Sequence, residues 1–221
     1  YFYALSCWQV GSIFSLILCI KLTFNASKLS FHPYFLGVCF SYPILMNFFI
    51  AQIGAYIFFL IALGYYFFNR ECFKSAGVVW GVVTGIKLFP GLLFIYALKK
   101  GEYSLCLTFI ITFLLTLFLP YFFYGYEIYE HYFQALQHIQ WYTHIWNASF
   151  LGFISRCINI EYFPYLSAIN IKGIQLIFLL MLLSSYLYLL SLKNAYVKSQ
   201  QFNLTLIYMV LLSPLGWFYY F

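Results

Sequence analysis

The chain has 221 residues, of which 65% are hydrophobic and 7% are charged, and its mean hydropathy is +0.88. A soluble domain has roughly a quarter of its residues charged, so this composition excludes a soluble protein. It predicts an all-α integral membrane protein, a multi-pass helical bundle. The net charge of +6 comes from basic residues scattered in ones and twos between apolar runs, which indicates membrane topology signals and no nucleic-acid partner.

The first three apolar runs approach the length of about 20 helical residues that crosses the core of a bilayer. They cover Tyr3–Ile20, Tyr34–Ile50, which Pro43 interrupts, and Ile53–Phe68. Basic residues lie before the second run and after the third, at Lys21, Lys28, Arg70 and Lys74. By the positive-inside rule these positions mark the cytoplasmic side, so Gln52 is predicted to lie at an outer turn.

The fourth apolar run, Ala76–Leu98, has Lys87 at its centre, 11 residues from either end. A charge at bilayer depth costs about 2.5 to 3.5 kcal/mol, whereas each Leu, Ile, Phe or Val returns about 0.3 to 0.6 kcal/mol, so the segment should still insert. The lysine either snorkels to an interface or faces a polar cavity or a ligand. Its distance from both ends favours the second alternative, and our hypothesis is that Lys87 meets an anionic group.

The same run poses a topology problem, because basic pairs flank it on both sides, at Arg70 and Lys74 and at Lys99 and Lys100. A single span would place one pair outside. Two half-length helices meeting near Lys87–Pro90 would keep both pairs inside, so the positive-inside rule favours a broken or re-entrant helix pair. Before the break, Gly77, Gly81 and Gly85 recur every fourth residue, which predicts a smooth face for close helix packing.

The remaining apolar runs are predicted to cross outward, inward and outward again. They cover Tyr103–Tyr124, Gly173–Leu192 and Phe202–Phe221, with an outer stretch, Gly125–Pro164, after the first. Within that stretch, Tyr129, Tyr132, Phe133, Leu136 and Ile139 share one helical face, and Glu127, Glu130, His131, Gln134 and His138 share the other. This separation predicts an interfacial helix.

The same outer stretch contains residue types that can bind a metal ion. His131, His138 and His144 follow Glu130 within a short distance, yet they form no HExxH or other tight ligand pattern. The six cysteines likewise show no CxxC and no metal-ligand spacing. No metal site and no disulfide framework are therefore predicted.

A second group of candidate residues ends at Arg156. Trp146, Asn147, Ser149 and Gly152 precede it, which places an aromatic ring, two hydrogen-bonding side chains and a guanidinium close together at the predicted outer surface. The planar fork of arginine suits phosphate or carboxylate. The alternative is an exposed loop arginine that meets a lipid headgroup.

Five of these features in this order resemble glycosyltransferase family 87. They are Gln52 at an outer turn, the glycine-spaced run into Lys87-Leu88-Phe89-Pro90, Lys99 with Lys100, Asn147-Ala-Ser149 with Gly152 and Arg156, and Leu212-Ser213-Pro214-Leu215-Gly216-Trp217. The family comprises polyprenyl-phosphate-mannose-dependent α-1,2-mannosyltransferases with the GT-C membrane fold. The resemblance extends from about Pro43 to the end of the chain.

The resemblance implies a hexosyltransferase of the cell membrane, by analogy the bacterial cytoplasmic membrane. It would move a sugar, by analogy mannose, from a polyprenyl-phosphate donor to a glycan or glycolipid acceptor on the outer face. Lys87, Arg156, Asn147 and Gln52 are then expected to bind substrate. No cofactor is expected, because the lipid-phosphate sugar is itself a substrate. We expect residues 1–221 to form a single multi-pass transmembrane domain, a fragment that lacks N- and C-terminal helices.

The sequence offers no residue for the catalytic acid that the resemblance implies. GT-C enzymes use an acidic residue, typically aspartate, on the first outer loop, and this sequence contains no aspartate. The outer acids are Glu127, Glu130 and Glu161, and none lies on a first outer loop. We therefore expect the acid to lie N-terminal to Tyr1 and assign no catalytic residue. There are two alternatives. One is a transporter or lipid flippase, which would use an intramembrane lysine beside a broken helix. The other is a non-catalytic paralogue.

Overall fold

The computed structural model describes residues 2–23, 41–137, 144–145, 147, 149–157 and 168–213, and the elements in this part of the chain are all helical. The helices are α1 (Phe2–Thr23), α2 (Tyr42–Phe49), α3 (Gly54–Asn69), α4 (Phe73–Ile86), α5 (Leu92–Lys100), α6 (Tyr103–Tyr124), α7 (Glu127–Gln137), α8 (Phe150–Cys157), α9 (Ala168–Ser191) and α10 (Ala195–Leu211). A 3-10 turn, Phe89–Gly91, lies between α4 and α5. The prediction of an all-α membrane bundle is confirmed.

Three of the described helices are long and apolar enough to cross a membrane. The stretches concerned are Tyr3–Leu22 in α1, Tyr103–Tyr124 in α6 and Gly173–Ser191 in α9, which agree with three of the predicted spans. The predicted span Ile53–Phe68 is present as α3. With 16 residues, α3 rises about 24 Å, which is less than the core thickness of about 30 Å, so its crossing stays a prediction.

Other predicted boundaries differ from the structure. Residues 34–40 and 214–221, which belong to two predicted spans, lie outside the described residues, and Pro43 stands in the first turn of α2. The helix that contains the start of the last predicted span begins before Phe202, because α10 starts at Ala195. The cause is a helix cap: the Asn194 side chain accepts a hydrogen bond from the Tyr196 backbone N–H at 2.9 Å.

The chain divides into two compact units. The first contains α1 to α4 and the part of α6 up to Thr116, and the second contains α5, the rest of α6 and α7 to α10. In the first unit α3 packs against α1, α2 and α4. Trp80 of α4 is fully buried and its Nε1 donates to the Ile61 carbonyl of α3 at 3.2 Å. That a single domain covers residues 1–221 stays a prediction.

The predicted glycine face of α4 is a close contact with α6. A Cβ atom at Gly77 would lie 2.5 Å from the Leu105 carbonyl oxygen, and one at Gly81 would lie 2.6 Å from the Phe109 carbonyl oxygen. A Cβ atom at Gly85 would overlap the Thr116 side chain in the same way. Since real Cβ contacts are longer than this, only glycine lets the two helices approach so closely, and the prediction of a packing face is confirmed.

The facing side of α6 carries threonines at the same four-residue spacing. The hydroxyls of Thr108, Thr112 and Thr116 donate to carbonyls four residues earlier in α6, at 3.1, 2.8 and 2.8 Å. These bonds satisfy the hydroxyls within α6 itself. The contact with α4 is therefore made by van der Waals packing and does not require hydrogen bonds between the helices.

In the second unit α9 packs against α5, α8 and α10, and α5 also packs against α10. Tyr186 of α9 is fully buried, and its hydroxyl lies 3.0 Å from the Thr205 hydroxyl of α10 and donates to the Leu92 carbonyl at 3.5 Å. At the other end of α5, Lys100 Nζ donates to Gln201 Oε1 of α10 at 2.7 Å. These contacts fix both ends of α5 against α9 and α10.

The predicted amphipathic helix in the outer stretch is present as α7. Its Tyr129 hydroxyl donates to the Leu117 carbonyl of α6, which ties α7 to the last turns of that helix. Tyr132 and Phe133 are exposed, and so are the charged side chains of the opposite face. The position of α7 at a membrane surface stays a prediction.

We expect Gly81→Ala to destabilise the packing of α4 on α6 by about 1 to 3 kcal/mol, because the added methyl group would overlap the Phe109 carbonyl and the helices would have to separate. Gly173→Ala is the matched control, since a Cβ atom there has open space within 4 Å. The measurement is the free energy of unfolding in detergent micelles. Equal stability of the two variants would show that the close contact is not real.

Candidate substrate site

The predicted helix break is present at Lys87–Pro90. α4 ends at Ile86, and Lys87 is extended, with φ −142° and ψ 132°, while its N–H still donates to the Val83 carbonyl at 3.0 Å. The 3-10 turn follows and α5 begins at Leu92. The 14 residues of α4 and the nine of α5 rise about 21 and 14 Å, so neither helix crosses a core of about 30 Å alone.

Proline explains why the helix ends here. Pro90 has no N–H to donate to the Ile86 carbonyl, and its ring would clash with that carbonyl in a continuous helix. It also disfavours the helical conformation of Phe89, the residue before it. Pro90 is buried, so the break is packed within the protein. Whether α4 and α5 then turn back as a re-entrant pair or continue as one interrupted span stays a prediction.

Lys87 has an amphipathic environment at this break. Its side chain is half-buried, while the flanking Ile86 and Leu88 are 43% and 65% exposed. A cation and two exposed apolar side chains therefore lie next to each other in the chain. A ligand with an anionic group on an apolar chain would complement both the cation and the apolar side chains.

The contacts of α5 show in which direction it runs beside α9. The start of α5, at Leu92, contacts Tyr186, and its end, at Lys100, is joined through Gln201 to the last turn of α9 near Leu190. α5 and α9 therefore run toward the same end. α5 rises about 14 Å, which is about half of a core of about 30 Å. That the break lies near the middle of the membrane stays a prediction.

The second group of predicted residues forms a closed turn before α8. Asn147 Oδ1 accepts from the Ser149 N–H at 3.1 Å, and Ser149 Oγ accepts from the Gly152 N–H at 3.0 Å, which caps the first turn of α8. Arg156 Nη1 donates to the carbonyls of Asn147 and His144 at 2.8 and 2.9 Å. The structure thus brings Asn147, Ser149, Gly152 and Arg156 together.

Gly152 is required by this turn. A Cβ atom at Gly152 would lie 2.7 Å from Asn147 Cγ and 2.8 Å from the Asn147 carbonyl oxygen. Asn147 is fully buried as a result. α8 is in turn held on α9, where Gln175 Nε2 donates to Ser155 Oγ at 2.7 Å.

Two sequence interpretations change at this turn. Arg156 does not lie in an exposed loop, because it is half-buried in the last turn of α8 and bonded to two carbonyls. Whether it meets a lipid headgroup or a substrate stays a prediction. The helix α8 and its Ser149 cap were not predicted from the sequence. A capping box needs Glu or Gln three residues after the capping Ser149, and this chain has Gly152 there. The sequence pattern that predicts the start of a helix is therefore absent.

Gln52 lies, as predicted, in a turn, between α2 and α3. The turn is tight: Ala51 has a φ of 54°, and the Gln52 N–H donates to the Asn47 carbonyl at 2.9 Å. The Gln52 side chain is half-buried. Gln52 and Lys87 belong to the first unit, and Asn147 and Arg156 to the second.

The acidic and histidine candidates stay apart from these residues. Glu127 and Glu130 are exposed on α7, and Glu161 and His138 lie outside the described residues. Within the described ranges, no three His, Cys, Asp or Glu side chains are grouped as they would be around a metal ion. No catalytic acid is assigned.

The profile described as glycosyltransferase family 87 matches residues 1–214 of this chain. No curated protein and no solved structure matches this chain. The matched range includes both the break at Lys87 and the turn before α8. Since the family is one of enzymes, the transporter and flippase alternatives are set aside. With its apolar helices and this match over nearly its whole length, the chain belongs to glycosyltransferase family 87 and is a membrane glycosyltransferase.

Proposed function

We propose that the protein transfers a hexosyl group, by family resemblance mannosyl, from a polyprenyl-phosphate donor to a glycan or glycolipid acceptor. The reaction takes place on the outer face of the cytoplasmic membrane. The observation that carries the proposal is the half-buried lysine at a helix break with exposed apolar neighbours. The proposed reaction needs no cofactor, because the donor carries its own phosphate leaving group.

Lys87 is proposed to contact the donor phosphate. In the transfer, the bond between the sugar and the phosphate breaks, and negative charge gathers on the leaving phosphate. A cation that is already in place stabilises this charge most strongly where water is excluded. Ile86 and Leu88, exposed on either side of Lys87, suit contact with the prenyl chain. These neighbours favour a lipid-linked donor over a water-borne nucleotide sugar.

Arg156 is proposed to bind a substrate anion, which can be the donor phosphate, while it also closes the turn before α8. A guanidinium has five N–H donors, and the bonds to His144 and Asn147 use Nη1. Toward the described residues, Nε and Nη2 make no hydrogen bond. These donors form the edge that binds phosphate or carboxylate with two parallel bonds.

Asn147 and Gln52 are assigned different parts in substrate binding. The Asn147 side chain is fully buried, so we propose that it acts by holding the carbonyl to which Arg156 donates. Gln52 is half-buried in its turn, and its amide can both donate to and accept from sugar hydroxyls. A carboxylate must still take the proton of the acceptor hydroxyl, and we assign that part to no residue of this chain.

We expect Lys87→Met in the complete protein to insert normally but to lower transfer from a radiolabelled polyprenyl-phosphate sugar by roughly 10²-fold, the loss seen when one preorganised charge-stabilising group is removed. Methionine keeps the length of the side chain and removes only the charge. Lys74→Met is the matched control, because Lys74 is exposed in the first turn of α4. A Lys87→Met enzyme with the activity of that control would rule out the phosphate contact.

Two variants, Arg156→Lys and Gly152→Ala, distinguish the two roles proposed for Arg156, which are binding a substrate anion and closing the turn before α8. Gly152→Ala should push Asn147 out of place and loosen the turn, yet it leaves the guanidinium intact. Arg156→Lys should loosen the turn and also remove the two-pronged contact. We expect both to lower the melting temperature, and Arg156→Lys to raise the donor KM about tenfold more than Gly152→Ala does, for a contact of about 1.4 kcal/mol. Equal donor KM values in the two variants would restrict Arg156 to closing the turn.

A further inference from the structure

Three lysines lie where α5 and α9 end and α10 begins. Lys100 Nζ donates to Gln201 Oε1 at 2.7 Å, and Gln201 Nε2 donates to the Leu190 carbonyl at 2.9 Å. Gln201 is only 5% exposed, so these bonds join three helices at one end of the second unit. Two exposed lysines accompany Lys100. Lys99 precedes it in α5, and Lys193 lies in the short turn between α9 and α10. We call Lys99, Lys100 and Lys193 the basic end cluster.

The charge of the basic end cluster is not balanced by its own helices. α5, α9, α10 and the turn between the last two contain no acidic residue. The nearest acidic residue in the chain is Glu102, two residues after Lys100, and it offsets at most one of the three positive charges. The C-termini of α5 and α9 each carry about half a negative charge, and the N-terminus of α10 carries about half a positive one. The helix dipoles therefore offset only about half of one charge, against three ammonium groups.

The basic end cluster lies at the level of lipid headgroups. The apolar stretch Gly173–Ser191 of α9 is long enough to cross a membrane, and Lys193 lies two residues after its end. Tyr188 and Tyr196, before and after the turn, are 64% and 75% exposed. Exposed tyrosines are enriched at the boundary between the hydrocarbon core and the headgroups. An anion that meets these lysines there is most simply a phosphodiester of the lipid itself.

We propose that the basic end cluster binds the phosphodiester headgroup of an anionic phospholipid on the side of the membrane where α5 ends. Lys100 is held for this contact by Gln201 and by the Tyr96 ring, whose centroid lies 5.4 Å from Nζ. The exposed Lys99 and Lys193 supply the further charge. The bound lipid steadies the end of α5, and the site is independent of the donor site proposed above.

Native mass spectrometry of the complete protein in detergent tests this proposal, with dioleoylphosphatidylglycerol as the anionic lipid and dioleoylphosphatidylcholine as the neutral one. We expect tighter binding of phosphatidylglycerol. Lys99→Gln and Lys193→Gln should each weaken it about fivefold, the contribution of one lysine near an anionic surface. Lys100 is left unchanged in this test, because it also holds α5 on α10.

Lys74→Gln is the matched control, because Lys74 is exposed like Lys99 and Lys193 but lies in α4, outside the basic end cluster. It should leave phosphatidylglycerol binding unchanged. Wild-type binding by both cluster variants, or an equal loss in the Lys74→Gln control, would overturn the site. Competition by glycerol 3-phosphate as strong as that by phosphatidylglycerol would overturn the lipid assignment, since the cluster would then bind soluble phosphate esters.

Discussion

The contact between the glycine face of α4 and the threonine face of α6 constrains the rest of the site. Gly77 and Gly81 bring the backbones so close that a methyl group would overlap a carbonyl oxygen of α6. The threonine hydroxyls are satisfied within α6, so no polar group is left in the contact. Because the packing continues to Gly85, two residues before Lys87, it holds the end of α4 in place, while Pro90 determines where the helix stops.

The break at Lys87–Pro90 has two energetic costs. A lysine at depth costs about 2.5 to 3.5 kcal/mol, and an interrupted helix leaves backbone carbonyls without their intrahelical partners. Apolar residues on both sides offset the first cost, and burial of Pro90 shows that the turn packs against protein. A bound anion would reduce the first cost, since it pairs with the ammonium group of Lys87. This gives a physical reason for a charged residue at this position.

Features that depend on local chemistry could be predicted from the sequence, and those that depend on distant partners could not. Pro90 and the four-residue glycine spacing gave the break and the packing face correctly. The start of α10 was missed because its first turns are polar and look like a loop, although Gln201 is buried and paired with Lys100. The setting of Arg156 was missed for a similar reason, since its partners are backbone carbonyls that any residue could supply.

The central prediction is that α4 and α5 form a re-entrant pair that holds Lys87 inside the membrane. Cys72, before α4, and Cys157, at the end of α8, are both exposed. With the other cysteines replaced by serine, an impermeant maleimide added to intact cells should label Cys157 and spare Cys72. A cysteine in place of the exposed Ser104, at the start of α6, should be spared as well. Labelling at position 104 with Cys72 protected would show one interrupted span and contradict the re-entrant pair.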